Sequence, residues 1–266
     1  MNIVRKSHLW KEVDGDALCQ IIDAQSVFTA WEAAKKAAIE VQGGMFWRNQ
    51  NGTDTSGKNS QKRLGRRSAE NEAIHKTFIE RRQQVETILA NLSAMLVRHQ
   101  RMNKALYVGR APRILVDILS ILTGTGLPNF TVVGDHAPLY AYETAAGVRL
   151  AEVDAKAALS LLVQGELCSS SFLGLLKKVD RTFEVRSSQC FVAVNSKGFE
   201  ITIIQPEGKE YDLQPSDFFS SMIVSSTGSM ARMRTISPLA FARFKRLKAG
   251  QLCKEPLKCA EEINLA

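Results

Sequence analysis

Residues 130–150, FTVVGDHAPLYAYETAAGVRL, decide how this chain folds. Phe130, Thr131, Val132 and Val133 form a β-rich run, Gly134-Asp135-His136 a tight turn, and an Ala/Tyr-rich helix is predicted from about Ala137. A strand that delivers a small turn to a helix N-terminus makes an anion site. Free backbone N–H groups and the positive end of the helix dipole converge there. An enzyme built on such a phosphate cradle needs carboxylates shortly afterwards, and in this sequence they are scarce.

On either side of this stretch the texture differs. Downstream, Ser169-Ser170-Ser171 starts a short apolar helix over Phe172 to Lys178. Cys190 to Val194 and Phe199 to Ile204 are β-rich runs joined by Asn195-Ser196-Lys197-Gly198, a hairpin signal. Pro238 to Lys248 reads as a helix packing Leu239, Phe241, Phe244 and Leu247. Just upstream, Pro112 opens a helix over RILVDILSILTG that Gly124 and Gly126 end.

The first part of the chain reads as helical. Residues 24–42 carry Val27, Trp31, Ala34, Ala38 and Val41 at helical spacing, and Gly43-Gly44 stops them. The segment GMFWRNQNGTDTSGKNSQKRLGRR is polar after Met45-Phe46-Trp47 and reads as a loop or worn-down hairpin. Ser68 is an N-cap candidate for a long helix to about Met102, with Glu70 and Glu72 in its first turn. These elements predict an α+β fold: a helical domain over 1–105, a mixed or antiparallel sheet flanked by helices over 106–250, and a tail over 251–266.

The 266 residues are 45% hydrophobic and 23% charged, ordinary for a globular protein. There is no apolar run of the roughly 20 residues that would cross a bilayer, and the N-terminus carries charges without an apolar core. Five cysteines without CxxC or metal-ligand spacing read as free thiols, so a cytoplasmic location is expected. From Lys58 to Arg110 twelve basic residues face four acids, an excess equal to the whole net charge of +8. That stretch reads as a solvated helix face or as a footprint for nucleic acid or a protein partner across residues 58–110. Its two aromatic residues, Phe78 and Tyr107, are not interleaved with the basic ones for base stacking, which favours the solvated face.

Several segments together resemble a bacterial family of nucleotidyltransferase-fold proteins, distant relatives of the DNA polymerase β superfamily. In the first half these are GMFWRNQNGTD and SQKRLGRRSAENEAI. In the second they are FTVVGDHAPLYAYETAAGVRL, FLGLLKKVDRTFE, AVNSKGFEITIIQP and TGSMARMRTISPLAFARFKR. The resemblance implies transfer of a nucleoside monophosphate from NTP to an acceptor. It also implies a Gly-containing turn for the triphosphate, an Asp-x-Asp pair, and a third carboxylate on a neighbouring strand. Such carboxylates hold two Mg²⁺ ions, which stabilise the attacking and leaving oxygens.

Carried over residue by residue, the implied site is degenerate or truncated. Gly134 matches the turn glycine, Asp135 stands where a small hydroxyl residue is usual, and His136 fits as a phosphate or proton-transfer group. Asp154 matches an aspartate beyond the Asp-x-Asp segment, so that segment is absent and Glu152 with Asp154 becomes a surrogate pair for catalysis and metal. An ungapped reading instead puts Ala158 and Ser160 at the metal positions. The third carboxylate falls on Thr202, with Glu200 one pleat away as a shifted ligand. Arg232 and Arg234 are candidates to reach a triphosphate, and Tyr140 and Tyr142 read as core. Mg²⁺ is expected if the protein is active and no cofactor otherwise. The expected ligand is NTP or another phosphate compound, and no membrane partner is expected.

Overall fold

The computed structural model describes residues 10–50, 53–58, 62–125, 130–134, 136–151, 158–164, 168–187, 191–204 and 213–252. Two compact units emerge. One spans Cys19–Met102, and the other is drawn from residues up to Leu18 and from Asn103 onward.

A short strand β1 (Trp10–Glu12) precedes helix α1 (Gly15–Glu40), which supplies much of the 19–102 unit. The α1 helix has no internal proline and buries Ile21, Ala24, Phe28 and Ala34 along one side. Gly43, at a φ of 119°, turns the chain after it, a conformation that only glycine adopts without strain. After that turn, the segment expected as a loop or worn hairpin is a three-stranded antiparallel sheet: β2 (Met45–Gln50), β3 (Thr53–Lys58) and β4 (Lys62–Arg66). Gln50 pairs with Thr53 at one end of the β2–β3 ladder. Polar strands hid this sheet, because β-propensity reflects packing more than backbone preference.

The long helix α2 (Ala69–Ala105) begins as predicted: the Asn71 N–H donates to Ser68 Oγ at 3.2 Å. It runs antiparallel to α1. Trp31 Nε1 donates to Ser93 Oγ at 3.2 Å, and the buried Gln20 amide meets His99 Nδ1 at 3.0 Å.

The other unit is built on a seven-stranded mixed sheet. Its strands are β5 (Phe130–Val132), β7 (Ala158–Val163), β8 (Glu184–Ser187), β9 (Val192–Val194), β10 (Glu200–Ile204), β11 (Phe218–Val224) and β12 (Met230–Ile236), with β6 (Val148–Leu150) pairing separately with β1. The spatial order is β11-β12-β5-β7-β10-β9-β8, antiparallel except where β12 meets β5 and β7 meets β10. Helices α3 (Arg113–Gly124), α4 (Ala137–Ala146) and α5 (Ser169–Val179) bury Leu115, Leu119, Tyr140, Ala141, Phe172 and Leu176 against Leu159, Leu161 and Ile201 of one sheet face. On the opposite face α6 (Pro238–Leu252) sets Ala240, Phe241 and Phe244 against Val133, Leu162 and Ile236. The fold class is α+β, as the sequence predicts. Among the described residues no helix is long and apolar enough to cross a membrane.

A buried ion pair fastens the end of the deciding stretch. Glu143 is 4% exposed and holds Arg110 through Nε–Oε2 at 2.9 Å and through a second contact from Nη2 to Oε1. The Leu150 N–H donates to Glu143 Oε1 at 2.7 Å, while Arg110 Nη2 donates to the Leu150 carbonyl, also at 2.7 Å. Each carboxylate and guanidinium edge thus has a partner, which a buried pair requires to stabilise rather than destabilise.

Candidate phosphate site

Strand β5 places the turn. Thr235 Oγ1 donates to the Val132 carbonyl at 2.6 Å, and the Val133 N–H donates to the Ser160 carbonyl at 3.1 Å. Gly134 then lies so close to β7 that an added Cβ would stand 2.7 Å from both Cβ and Oγ of Ser160. Here glycine is required by close approach. His136 precedes α4, its carbonyl accepts the Leu139 N–H at 3.1 Å, and no side chain caps the helix start. His136 Nδ1 is buried and has no hydrogen-bond partner. A glycine turn feeding an uncapped helix N-terminus can accept an anion.

Strand β7 lies directly beside that turn, and β10 lies beside β7. Ser160 is in register with Thr202, and Ala158 with Glu200. Ala158 and Ser160, the positions named by the ungapped reading, therefore lie on the strand next to Gly134, and Thr202 lies on the strand beyond it. On the ungapped reading a methyl group and two neutral hydroxyls stand where the resemblance implies three carboxylates. Glu200 is exposed at the start of β10, one row from Thr202, a displacement of about 6–7 Å along the strand. Asp135, Glu152 and Asp154 lie outside the described residues. Among the described residues no group of three or more His, Cys, Asp or Glu could hold a metal ion. Mg²⁺ favours carboxylate oxygens in an octahedral set, and Ala158, Ser160 and Thr202 do not fit a two-metal cage.

Arg232 and Arg234 share the sheet face of Ser160 but run away from the turn. Thr235 pairs with Val132 and Val132 with Leu161, so Arg234 stands level with Leu162 and Arg232 further off. The Arg234 guanidinium lies over the Phe218 ring, 4.6 Å from its centroid. Tyr140 is buried in the core. Tyr142 donates its hydroxyl to the Ile236 carbonyl at 2.5 Å and meets Phe219 and Phe241 edge-on. Burial pushes the Tyr142 hydroxyl well above its ordinary pKa, so it stays protonated.

The sequence alone leaves the metal positions dependent on where a gap is placed. The signal that could have fixed them is the apolar run Ala158 to Val163, which suits a strand buried on both faces. No curated protein and no solved structure matches this chain. Residues 113–217, which run from α3 through the Gly134 turn, β7 and β10 to a 3-10 turn at Pro215–Asp217, match the family model described as nucleotidyltransferase.

Proposed function

We propose that this chain keeps a nucleotidyltransferase-type fold as a binding module and does not catalyse two-metal nucleotidyl transfer. The family-level reaction would move a nucleoside monophosphate from NTP to an acceptor. In this reading Gly134 and His136, at the uncapped start of α4, receive the phosphates of NTP or a related ligand. The backbone N–H groups supply the donors, and the single carboxylate of β7 and β10, the exposed Glu200, is too few to hold two metal ions. The observation that carries the reading is the register of Ala158, Ser160 and Thr202 beside the Gly134 turn. Neutral hydroxyls cannot gather two divalent cations around a triphosphate, so the charge that builds up in phosphoryl transfer has nothing to offset it.

The test is turnover of labelled NTP with and without Mg²⁺, beside equilibrium binding of the same NTP. Binding without pyrophosphate release is expected. Mg²⁺-dependent release that disappears in the Glu152→Ala, Asp154→Ala double variant would replace this reading with an active enzyme whose surrogate pair is Glu152 and Asp154. The module reading also gives the basic segment 58–110 a role, as the side that holds a partner.

A further inference from the structure

Helix α2 carries apolar side chains on more than the side that meets α1. Phe78, Val85, Leu89, Leu92 and Leu96 are half-buried, and Ser93 receives the Trp31 hydrogen bond that ties the two helices together. Five large apolar residues of α2 are exposed by 41–52%: Ile74, Ile88, Met95, Val97 and Met102. Scattered singly, such residues are ordinary on a surface. Four of these five are not scattered. Ile88, Met95 and Met102 follow one another at seven-residue steps, and Ile74 stands two such steps before Ile88. Arg81 takes the place between, with its guanidinium 3.4 Å from Glu40 of α1. Seven residues make nearly two full turns, so this row runs along one side of α2 for about 42 Å. Ser93 lies five residues from Ile88, about 140° round the helix, so the row is separate from the side bonded to Trp31.

Beside it runs a second row with the same step: Glu70, Thr77, Gln84, Asn91 and Arg98, all exposed. Ile88 is four residues from Gln84 and three from Asn91, so the two rows are neighbours on one face. Along the second row come an acid, three uncharged hydrogen-bonding side chains and a base. Glu72, Lys76, Glu80, Arg81, Arg82 and Glu86 of α2 each have an ionic partner. Glu70 and Arg98 have none among the described residues. A row of this order is complementary to itself when reversed.

We propose that this face of α2 docks, antiparallel, on the same face of a second copy of the chain, as an isologous dimer. With the two Gln84 side chains at the two-fold axis, Glu70 meets the partner's Arg98 and Thr77 meets the partner's Asn91, each pair formed twice. The apolar rows overlap in that register. Ile74 lies against the partner's Met95 and Ile88 beside the partner's Arg81, while Met102 lies past the overlap. A parallel mate would instead set Glu70 on Glu70 and Arg98 on Arg98, like charge against like. Two α1–α2 hairpins joined this way make a four-helix bundle, in which every helix has two neighbours. A lone hairpin gives each helix one neighbour and leaves the apolar row in water.

The proposal goes beyond the phosphate site and does not rest on the function proposed for it. Its test is sedimentation velocity of the full chain from about 1 to 100 μM, since a dimer in equilibrium with its monomer grows with concentration. A dimer that dominates at the upper end is expected. Met95→Glu, which acts twice in a symmetric pair, should weaken it roughly ten- to a hundredfold. Val97→Glu, exposed but off the row, should change it by less than about twofold. Glu70→Lys and Arg98→Glu should each weaken the dimer about three- to tenfold at low salt. The double variant, which exchanges the two charges, should return to within about twofold of wild type. All four positions are exposed, so circular dichroism should show every variant folded.

A chain that stays monomeric at the highest concentration would overturn the proposal. A monomer that co-sediments with phosphatidylcholine vesicles would overturn it in favour of a membrane surface. A dimer indifferent to Met95→Glu, or weakened as much by Val97→Glu, would overturn it as well. So would charge exchanges whose losses add instead of cancelling. None of these outcomes bears on NTP turnover, so failure here leaves the metal-site reading standing.

Discussion

Replacing Gly134 by alanine probes the close approach on which the phosphate turn depends. The added methyl carbon would sit 2.7 Å from Cβ and Oγ of Ser160, whereas unstrained carbon contacts lie near 3.5–4.0 Å. The turn and β7 must therefore separate by about 1 Å. Overpacking of this size costs about 1–3 kcal/mol, and the lower entropy of the unfolded alanine chain returns about 0.4–1 kcal/mol. The net loss should be about 1–2 kcal/mol, a fall of about 2–8 °C in the melting temperature of this unit. Ser160→Gly removes both clashing atoms, so Gly134→Ala should cost less in that background, with a coupling of about 1 kcal/mol or more. Differential scanning calorimetry of wild type, both single variants and the double variant completes the cycle. A neutral Gly134→Ala, or strictly additive effects, would refute the contact.

Three further outcomes follow. Glu143→Gln should lower unfolding free energy by about 3 kcal/mol, because it leaves the Arg110 charge half-buried and unpaired; Arg113→Ala, at an exposed ion pair with Asp117, should change it by less than about 0.5 kcal/mol. Hydrogen bonds from the Ser170 side chain, then from Ser171, bring the exposed Cys168 thiol down to about 7. Its thiolate fraction therefore grows as pH rises through about 7, so iodoacetamide labelling read by mass spectrometry should show that midpoint, and Ser170→Ala should move it upward. Rebuilding the cage with Ala158→Asp, Ser160→Asp and Thr202→Asp should make thermal stability rise with added Mn²⁺, whereas the wild type should show no comparable rise.

The stretch at 130–150 was legible because each signal agreed with the next. A β-branched run, a glycine and a helix-forming segment became β5, the turn and α4. Asn195 was legible for a similar reason: its Oδ1 accepts the backbone N–H groups of Lys197 and Phe199, closing the predicted turn between β9 and β10. The sheet of β2–β4 was not legible from hydropathy, since β3 and β4 are polar apart from Leu64 and the apolar cluster of β2 ends at Trp47. Strand β7 is a continuous apolar run, which periodicity alone cannot separate from a buried helix.

The candidate site divides along the same line. Gly134 follows from the motif, but its reason, the side chain of Ser160, is a contact between strands. Thr202 was identified as the altered third carboxylate position, while Ala158 and Ser160 stood as one of two alignments. Parallel pairing of β7 with β10 sets those positions side by side, and no local pattern encodes that register.

We propose that the site beside the Gly134 turn holds no pair of protein-bound metal ions. Electron paramagnetic resonance during Mn²⁺ titration, in the presence of a non-hydrolysable NTP, tests it most directly. At most the Mn²⁺ that the nucleotide itself carries should bind, with no spin coupling between ions. A spin-coupled Mn²⁺ pair bound stoichiometrically to the protein, and lost in the Glu152→Ala, Asp154→Ala variant, would contradict it.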